Sequence, residues 1–139
     1  MRVKIYTDGA SRNNPGQSGI GIVIMDGNNK IVAQKAEYIG IATNNVAEYK
    51  AVISGLELAK NIGAKEVSLF ADSQLLVRQL TGEYRVKNEG LQPLYRSVKA
   101  LINEFSVFNA EHIPRTENLI ADKLANSAID EYLCLSRGE

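Results

Sequence analysis

Val3, Ile5 and Thr7 alternate with Lys4, Tyr6 and Asp8, the period-2 spacing of a half-buried strand, and the turn-prone pair Asp8-Gly9 predicts its end. The stretch Ser11 to Ser18 is rich in Asn, Gly and Pro and reads as a loop. Gly19 to Met25 is a β-branched run, and Asp26-Gly27-Asn28-Asn29 predicts a hairpin turn into a third strand at about Lys30 to Tyr38. The opening is therefore an antiparallel three-strand meander. The spacing then becomes helical. From Val46 to Ile62, residues Ala51, Val52, Gly55, Leu58, Ala59 and Ile62 form one apolar stripe, and Gly63 supplies the stop. Val67, Leu69 and Ala71 predict a fourth strand, followed by a helix from about Ser73 to Leu80 that Thr81-Gly82 breaks. A helix from about Leu91 to Glu104 and a strand from about Ser106 to Ile113, closed by Pro114, come next. The last helix, about Glu117 to Leu133, is expected to carry Ala121, Leu124, Ala125, Ala128 and Tyr132 inward, with the final residues frayed. This order predicts an α/β fold: a mixed five-stranded sheet, three strands antiparallel and then two parallel, with helices packed on it. No linker, repeat or low-complexity stretch interrupts residues 1–139, which read as a single domain.

Composition narrows the function classes. No run approaches the roughly 18 apolar residues of a membrane helix, and the amino end shows no signal-peptide core, so no membrane partner and a cytoplasmic location are expected. Cys134 is alone and cannot form an intrachain disulfide. The formal net charge is zero, low for a reader of phosphate backbones, but positive charge is uneven. Arg78, Arg85, Lys87, Arg96 and Lys99 face only Glu83 and Glu89 in that part of the chain, a pattern an ordinary solvated face would also give. The glycines of Gly16-Gln17-Ser18-Gly19-Ile20-Gly21 do not make a dinucleotide loop, because a strand rather than a helix follows them, and no Gly-Lys-Ser/Thr follows for a P-loop.

The candidate chemistry lies in four acids: Asp8 in Thr7-Asp8-Gly9-Ala10, Glu48 in Thr43-Asn44-Asn45-Val46-Ala47-Glu48, Asp72 in Ala71-Asp72-Ser73-Gln74, and Asp122 in Glu117-Asn118-Leu119-Ile120-Ala121-Asp122. Each has a local alternative. Asp8 can be a turn residue, Glu48 the third position of a capping box begun by Asn45, Asp72 the N-cap of the helix at Ser73, and Asp122 a helix-dipole partner. Their joint placement argues otherwise. With the first and fourth strands adjacent and parallel, Asp8 and Asp72 end at one carboxyl edge, where open α/β sheets hold ligands. Glu48 and Asp122 border the buried stripes of their helices, where an acid needs a partner. Several convergent carboxylates without thiol or imidazole suit a hard divalent cation such as Mg²⁺.

In this order and with these flanks, the four motifs resemble those of type 1 ribonucleases H, from about Arg2 to about Tyr132. The resemblance implies the ribonuclease H fold and a metal-dependent endoribonuclease that cuts the RNA strand of RNA–DNA hybrids. It implies two Mg²⁺ or Mn²⁺ ions held by Asp8, Glu48, Asp72 and Asp122, and products with 5′-phosphate and 3′-hydroxyl ends. Such an ion pair, about 4 Å apart, activates water on one side and stabilises the departing oxygen on the other. It also implies that Asn14, Thr43, Asn44, Asn45 and Gln74 track the minor groove of the hybrid and hold a DNA-strand phosphate. Arg85 and Lys87 are further candidates for substrate binding, from the basic cluster. Two residues compete for a role in proton traffic and product release. His112 has the spacing from the last Asp found in many relatives, and Arg115 that found in short, often archaeal ones. The chain departs from longer bacterial relatives in that Thr81 to Asn88 is too short for their lysine-rich protrusion, and no preceding hybrid-binding domain is expected. A monomer with no required protein partner is expected. A same-fold nuclease preferring double-stranded RNA, or a non-catalytic hybrid-binding domain, stays open as an alternative.

Overall fold

The structure is a computed structural model and describes residues 1–136; the expected fraying at the chain's end falls partly on 137–139, outside the described residues. Strands β1 (Arg2–Ser11), β2 (Gly16–Met25) and β3 (Ile31–Ala42) form the meander, followed by helix α1 (Asn44–Asn61), strand β4 (Glu66–Ala71), helices α2 (Gln74–Leu80) and α3 (Gln92–Ile102), strand β5 (Val107–His112) and helix α4 (Leu119–Ser136). The sheet order is β3-β2-β1-β4-β5. The β1–β2 and β2–β3 pairs are antiparallel, and the β1–β4 and β4–β5 pairs parallel. The expected mixed sheet is therefore the one observed.

Small residues set how closely the helices approach the sheet. A Cβ on Gly55 of α1 would stand 3.1–3.5 Å from Ile5, Thr7 and Ile22, which places α1 on the face carrying those side chains. On the opposite face, Cβ atoms on Gly19 and Gly21 of β2 would fall 2.4 and 2.0 Å from the carbonyl oxygens of Ala125 and Ala121, so α4 lies directly on β2. Gly19 and Gly21 serve helix packing. The core on the α1 face includes Ile5, Ile22, Ile24, Tyr49, Leu56, Leu69 and Leu76, each at most 2% exposed. Burying one such side chain contributes about 1.5–3 kcal/mol.

Several local expectations are corrected. The strand does not stop at Asp8-Gly9 but runs to Ser11, because Gly9 is used for a close helix contact rather than a turn. Gly16 to Ser18 are strand rather than loop, and the third strand continues to Ala42; Ser11 and Ser18 hydroxyls both donate to the Ala42 carbonyl, at 2.7 and 3.1 Å, and stitch the ladder ends. Thr43, not Asn45, caps α1, its Oγ1 accepting from Val46 N–H at 3.2 Å. Ser73, not Asp72, caps α2 by accepting from Leu76 N–H at 3.2 Å. Both acids are thereby released from capping. A short turn of 3₁₀ helix over Arg115–Glu117 precedes α4, which starts at Leu119. Tyr132 is exposed and stacks on Tyr38 instead of facing the core. Gly63, at φ 86°, ends α1 as expected: its N–H reaches the Lys60 carbonyl and Ala64 N–H the Ala59 carbonyl.

Candidate active site

Thr7 is the last residue of β1 paired with β4, opposite Ala71, so Asp8 and Asp72 emerge side by side where β4 ends. The shared edge is as expected for Asp72, whereas Asp8 lies inside a strand that continues three residues further. Glu48 arrives over Gly9. A Cβ there would be 2.3–2.5 Å from the backbone of Ala47 and Glu48, so only glycine lets α1 bring its carboxylate this close to Asp8. Carboxylate oxygens of Asp8, Glu48 and Asp72 all lie within 4.8 Å of one another. Asp122, in the first turn of α4, accepts from Arg115 Nη2 at 3.2 Å and Asn126 Nδ2 at 3.3 Å. All four acids line one cavity of about 480 Å³, together with Arg12, Asn44, Asn45 and Arg115.

The cluster is short of positive charge. Burial, and then the charges of Asp72 and Asp122, push the Asp8 carboxyl up to about 8, against the opposing pull of Arg115. Burial and the neighbouring Asp8 and Asp72 push Glu48 well above the usual carboxylate range. Glu48 Oε2 is buried without a hydrogen-bond partner among the described residues. Acids held together this way call for a counter-charge, and an all-oxygen, carboxylate-rich donor set fits Mg²⁺ or Mn²⁺. Asp8, Glu48 and Asp72 would hold such an ion, with Asp122 across the cavity.

The other predicted residues divide by place. Asn14, Thr43 and Asn45 line a second cavity of about 430 Å³ beside the first, with Asn88, Gly90 and Leu91. The loop and helix that bring them there are tied by side-chain amides: Asn14 Oδ1 accepts from Asn44 N–H at 2.9 Å, and Asn44 Oδ1 from Ser11 N–H at 3.0 Å. Gln74 is the exposed first residue of α2 and lines neither cavity. Arg85 and Lys87 are exposed on the segment between α2 and α3. Two other members of the basic cluster are engaged internally, Arg78 over the Tyr84 ring and Lys99 near Tyr95 and the Leu80 carbonyl. His112 is exposed at the end of β5 and does not line the acid cavity, whereas Arg115 does and pairs with Asp122. Sequence reasoning missed Arg12, Asn118 and Asn126. Arg12 donates to Asp130 at 2.7 Å and to the Asn126 side chain at 3.3 Å, and Asn126 in turn donates to Asp122. Apart from one contact a helical turn away, their partners lie 46 to 118 residues distant along the chain, and only the arginine's charge in a polar loop could have signalled them.

Comparison with known proteins identifies the family and the fold. The family described as Reverse transcriptase-like matches residues 6–128. A bifunctional protein of Mycobacterium tuberculosis is 44% identical over 131 residues, covering 94% of this chain and 36% of that one. Ribonuclease HI of Halobacterium salinarum is 42% identical over 130 residues, covering 94% of this chain and 65% of that one. The chain thus spans about a third to two thirds of the length of these relatives. The crystal structure of RNase H1 from Halobacterium salinarum superimposes with a TM-score of 0.92 over 94% of this chain and 99% of that one, at 42% identity. LC11-RNase H1, solved in complex with an RNA/DNA hybrid, gives 0.91 over 94% and 99%, at 41% identity. With a matching fold and these identities over nearly its whole length, the chain belongs to the type 1 ribonuclease H family.

Proposed function

We propose that this chain is an endonuclease that hydrolyses the RNA strand of RNA–DNA hybrids with two Mg²⁺ or Mn²⁺ ions, leaving 5′-phosphate and 3′-hydroxyl ends. The observation that carries the reading is the convergence of Asp8, Glu48 and Asp72 within 4.8 Å, with Asp122 held across the same cavity. A similar protein bound to an RNA/DNA hybrid supports the choice of substrate. Bound cations supply Lewis acidity toward the scissile phosphate and the attacking water. The protein does the rest. Asp8 and Asp72, fixed by adjacent parallel strands, would hold such ions together with Glu48 and Asp122. Arg115 pairs with Asp122 and puts a cation, 74% exposed, in the cavity lining, where it would stabilise negative charge developing in the reaction. The neutral amides and hydroxyl of Asn14, Thr43, Asn44 and Asn45 offer the hydrogen bonds that recognise sugar 2′-hydroxyls and phosphate oxygens. Gln74, Arg85 and Lys87 lie outside both cavities and would meet only more distant parts of a duplex.

One chain supplies all four acids and both cavities, which supports action as a monomer without a protein partner. None of the described helices is long and apolar enough to cross a membrane. Cys134 is free and exposed, in keeping with the reducing cytoplasm we propose. The test is cleavage of matched RNA–DNA hybrid, double-stranded RNA and double-stranded DNA, with Mg²⁺ and with Mn²⁺, and with product ends mapped. Selective cutting of RNA in the hybrid is expected. Preferential cutting of double-stranded RNA, or binding of the hybrid without cleavage, would replace this reading.

A further inference from the structure

Asn118 immediately precedes α4, the place where an asparagine ordinarily turns its side-chain oxygen onto a free N–H of the first helical turn. Here only the backbone does helix work, its carbonyl accepting Asp122 N–H at 3.1 Å. The side chain turns inward instead. It is 2% exposed, and its Nδ2 donates to the Thr7 carbonyl at 2.9 Å and to Asp72 Oδ2 at 3.2 Å. Its Oδ1 is buried with no partner among the described residues. Forgoing a cap and orphaning an acceptor are both destabilising, so the orientation is held for another reason.

We infer that Asn118 is a positioning residue for the acid cluster, one amide joining the backbone beside Asp8, the carboxylate of Asp72 and the helical turn that carries Asp122. This inference rests on the cation-site reading above. A neutral amide suits this role, because it fixes one oxygen of Asp72 while adding no positive charge to compete with a cation. Lysine or arginine here would itself supply the counter-charge. Partners that hydrogen-bond a metal-ligating carboxylate set its direction, and losing one typically lowers metal affinity or activity about 10–100-fold.

The test is a Mn²⁺ titration of metal-free protein followed by electron paramagnetic resonance, beside steady-state hybrid cleavage, for wild type, Asn118→Ala and Asn118→Ser. Thermal melts identify conditions where each variant is folded. We expect Mn²⁺ binding weaker by about tenfold or more and kcat reduced to a similar extent. KM for the hybrid should change by less than about twofold, because the amide faces the acids rather than the nucleic-acid groove. In an Asp72→Asn background the same substitutions should cost clearly less Mn²⁺ affinity than in the wild type. Mn²⁺ affinity or kcat near the wild-type value in folded variants overturns the inference, as does an undiminished loss in the Asp72→Asn background. Failure of both variants to fold assigns Asn118 a structural role instead. Should the wild type bind Mn²⁺ yet leave the hybrid uncut, the proposed function falls while the Mn²⁺ titration still decides on Asn118.

Discussion

The two neighbouring cavities are built on opposite principles. The acid cavity is assembled from a strand interior, a strand end and two helices, and it leaves its polar groups in conflict. Glu48 Oε2, in its lining, is buried without a partner among the described residues, and so is Oδ1 of Asn118, whose amide bonds Asp72. The second cavity is lined by Asn14, Thr43, Asn45 and Asn88. There the hydrogen-bonding groups already work for the fold: Thr43 caps α1, Asn14 accepts Asn44 N–H, and Asn88 Oδ1 accepts Gly90 N–H at 2.7 Å. The proposed cation site is kept short of positive charge, while the proposed surface for sugar and phosphate is self-satisfied and can exchange its partners for substrate. Substitutions should therefore separate chemistry from stability in the first cavity and combine small losses of both in the second.

The largest effect should come from Asp8→Asn and Asp72→Asn. Losing a ligand carboxylate removes several kcal/mol of transition-state stabilisation, a fall on the order of 10³-fold or more in kcat. Without metal the same Asp8→Asn protein should melt no lower than wild type at pH 8, since the acids repel one another there. A variant with near wild-type turnover at saturating Mg²⁺ would break the contrast.

Glycine substitutions probe the same contrast through geometry. Gly9→Ala drives a Cβ into the backbone of Ala47 and Glu48, at 2.3–2.5 Å, and should lower stability by about 1–3 kcal/mol or more while weakening metal binding. Gly90→Ala meets only the Asn88 side chain, at 3.1 Å, and should be nearly neutral in chemical denaturation. Equal effects would contradict the difference drawn between the cavities.

Arg115→Ala is expected to slow turnover by about 10²-fold, the order lost with one positioned charge-stabilising group, and more than His112→Ala, because Arg115 touches Asp122 and His112 lines neither cavity. The pH–rate profile decides between them. A limb near neutral pH that vanishes in His112→Ala alone would make histidine the proton carrier.

Stability should also depend on pH in a direction the acid cavity dictates. Asp8 rises from its ordinary 3.8 to about 8 on folding, so the native state holds its proton more tightly than the unfolded chain. That stabilisation is complete below about pH 4 and is lost as pH climbs toward about 8. Melts of the metal-free protein should fall across that window, and Mg²⁺ should raise the midpoint more at pH 8 than at pH 5. A metal-free midpoint that rises across the window would overturn the charge deficit.

The smallest effect on turnover belongs to the second cavity. Thr43→Ala should lose about 1 kcal/mol of cap stability and raise KM for hybrid a few-fold with kcat nearly unchanged.

These contrasts follow how the molecule can be read from its chain. Alternation in Val3-Ile5-Thr7 and Val67-Leu69-Ala71, and helical stripes such as Ala51-Val52-Gly55, make the sheet and helices legible because burial imposes those periods. The acids are legible as a set through their flanking motifs. Local rules fail where a residue serves a distant partner. Asp8-Gly9 has the look of a turn, but Gly9 makes room for α1; Asn118 has the look of a helix start, but its amide serves Thr7 and Asp72. Asn45 and Asp72 offer caps that Thr43 and Ser73, one or two positions away, supply instead. Nothing in the hydrophobic period distinguishes Tyr132, whose ring stacks on Tyr38 at the surface.

The central claim, that the acid cavity cuts RNA in a hybrid through bound cations, is tested most directly with a hybrid carrying a 5′-labelled RNA strand. The label is followed with wild type in Mg²⁺, wild type in EDTA, and Asp72→Asn in Mg²⁺. RNA fragments are expected in the first reaction alone. Fragments in EDTA, or from Asp72→Asn at the wild-type rate, would contradict the claim.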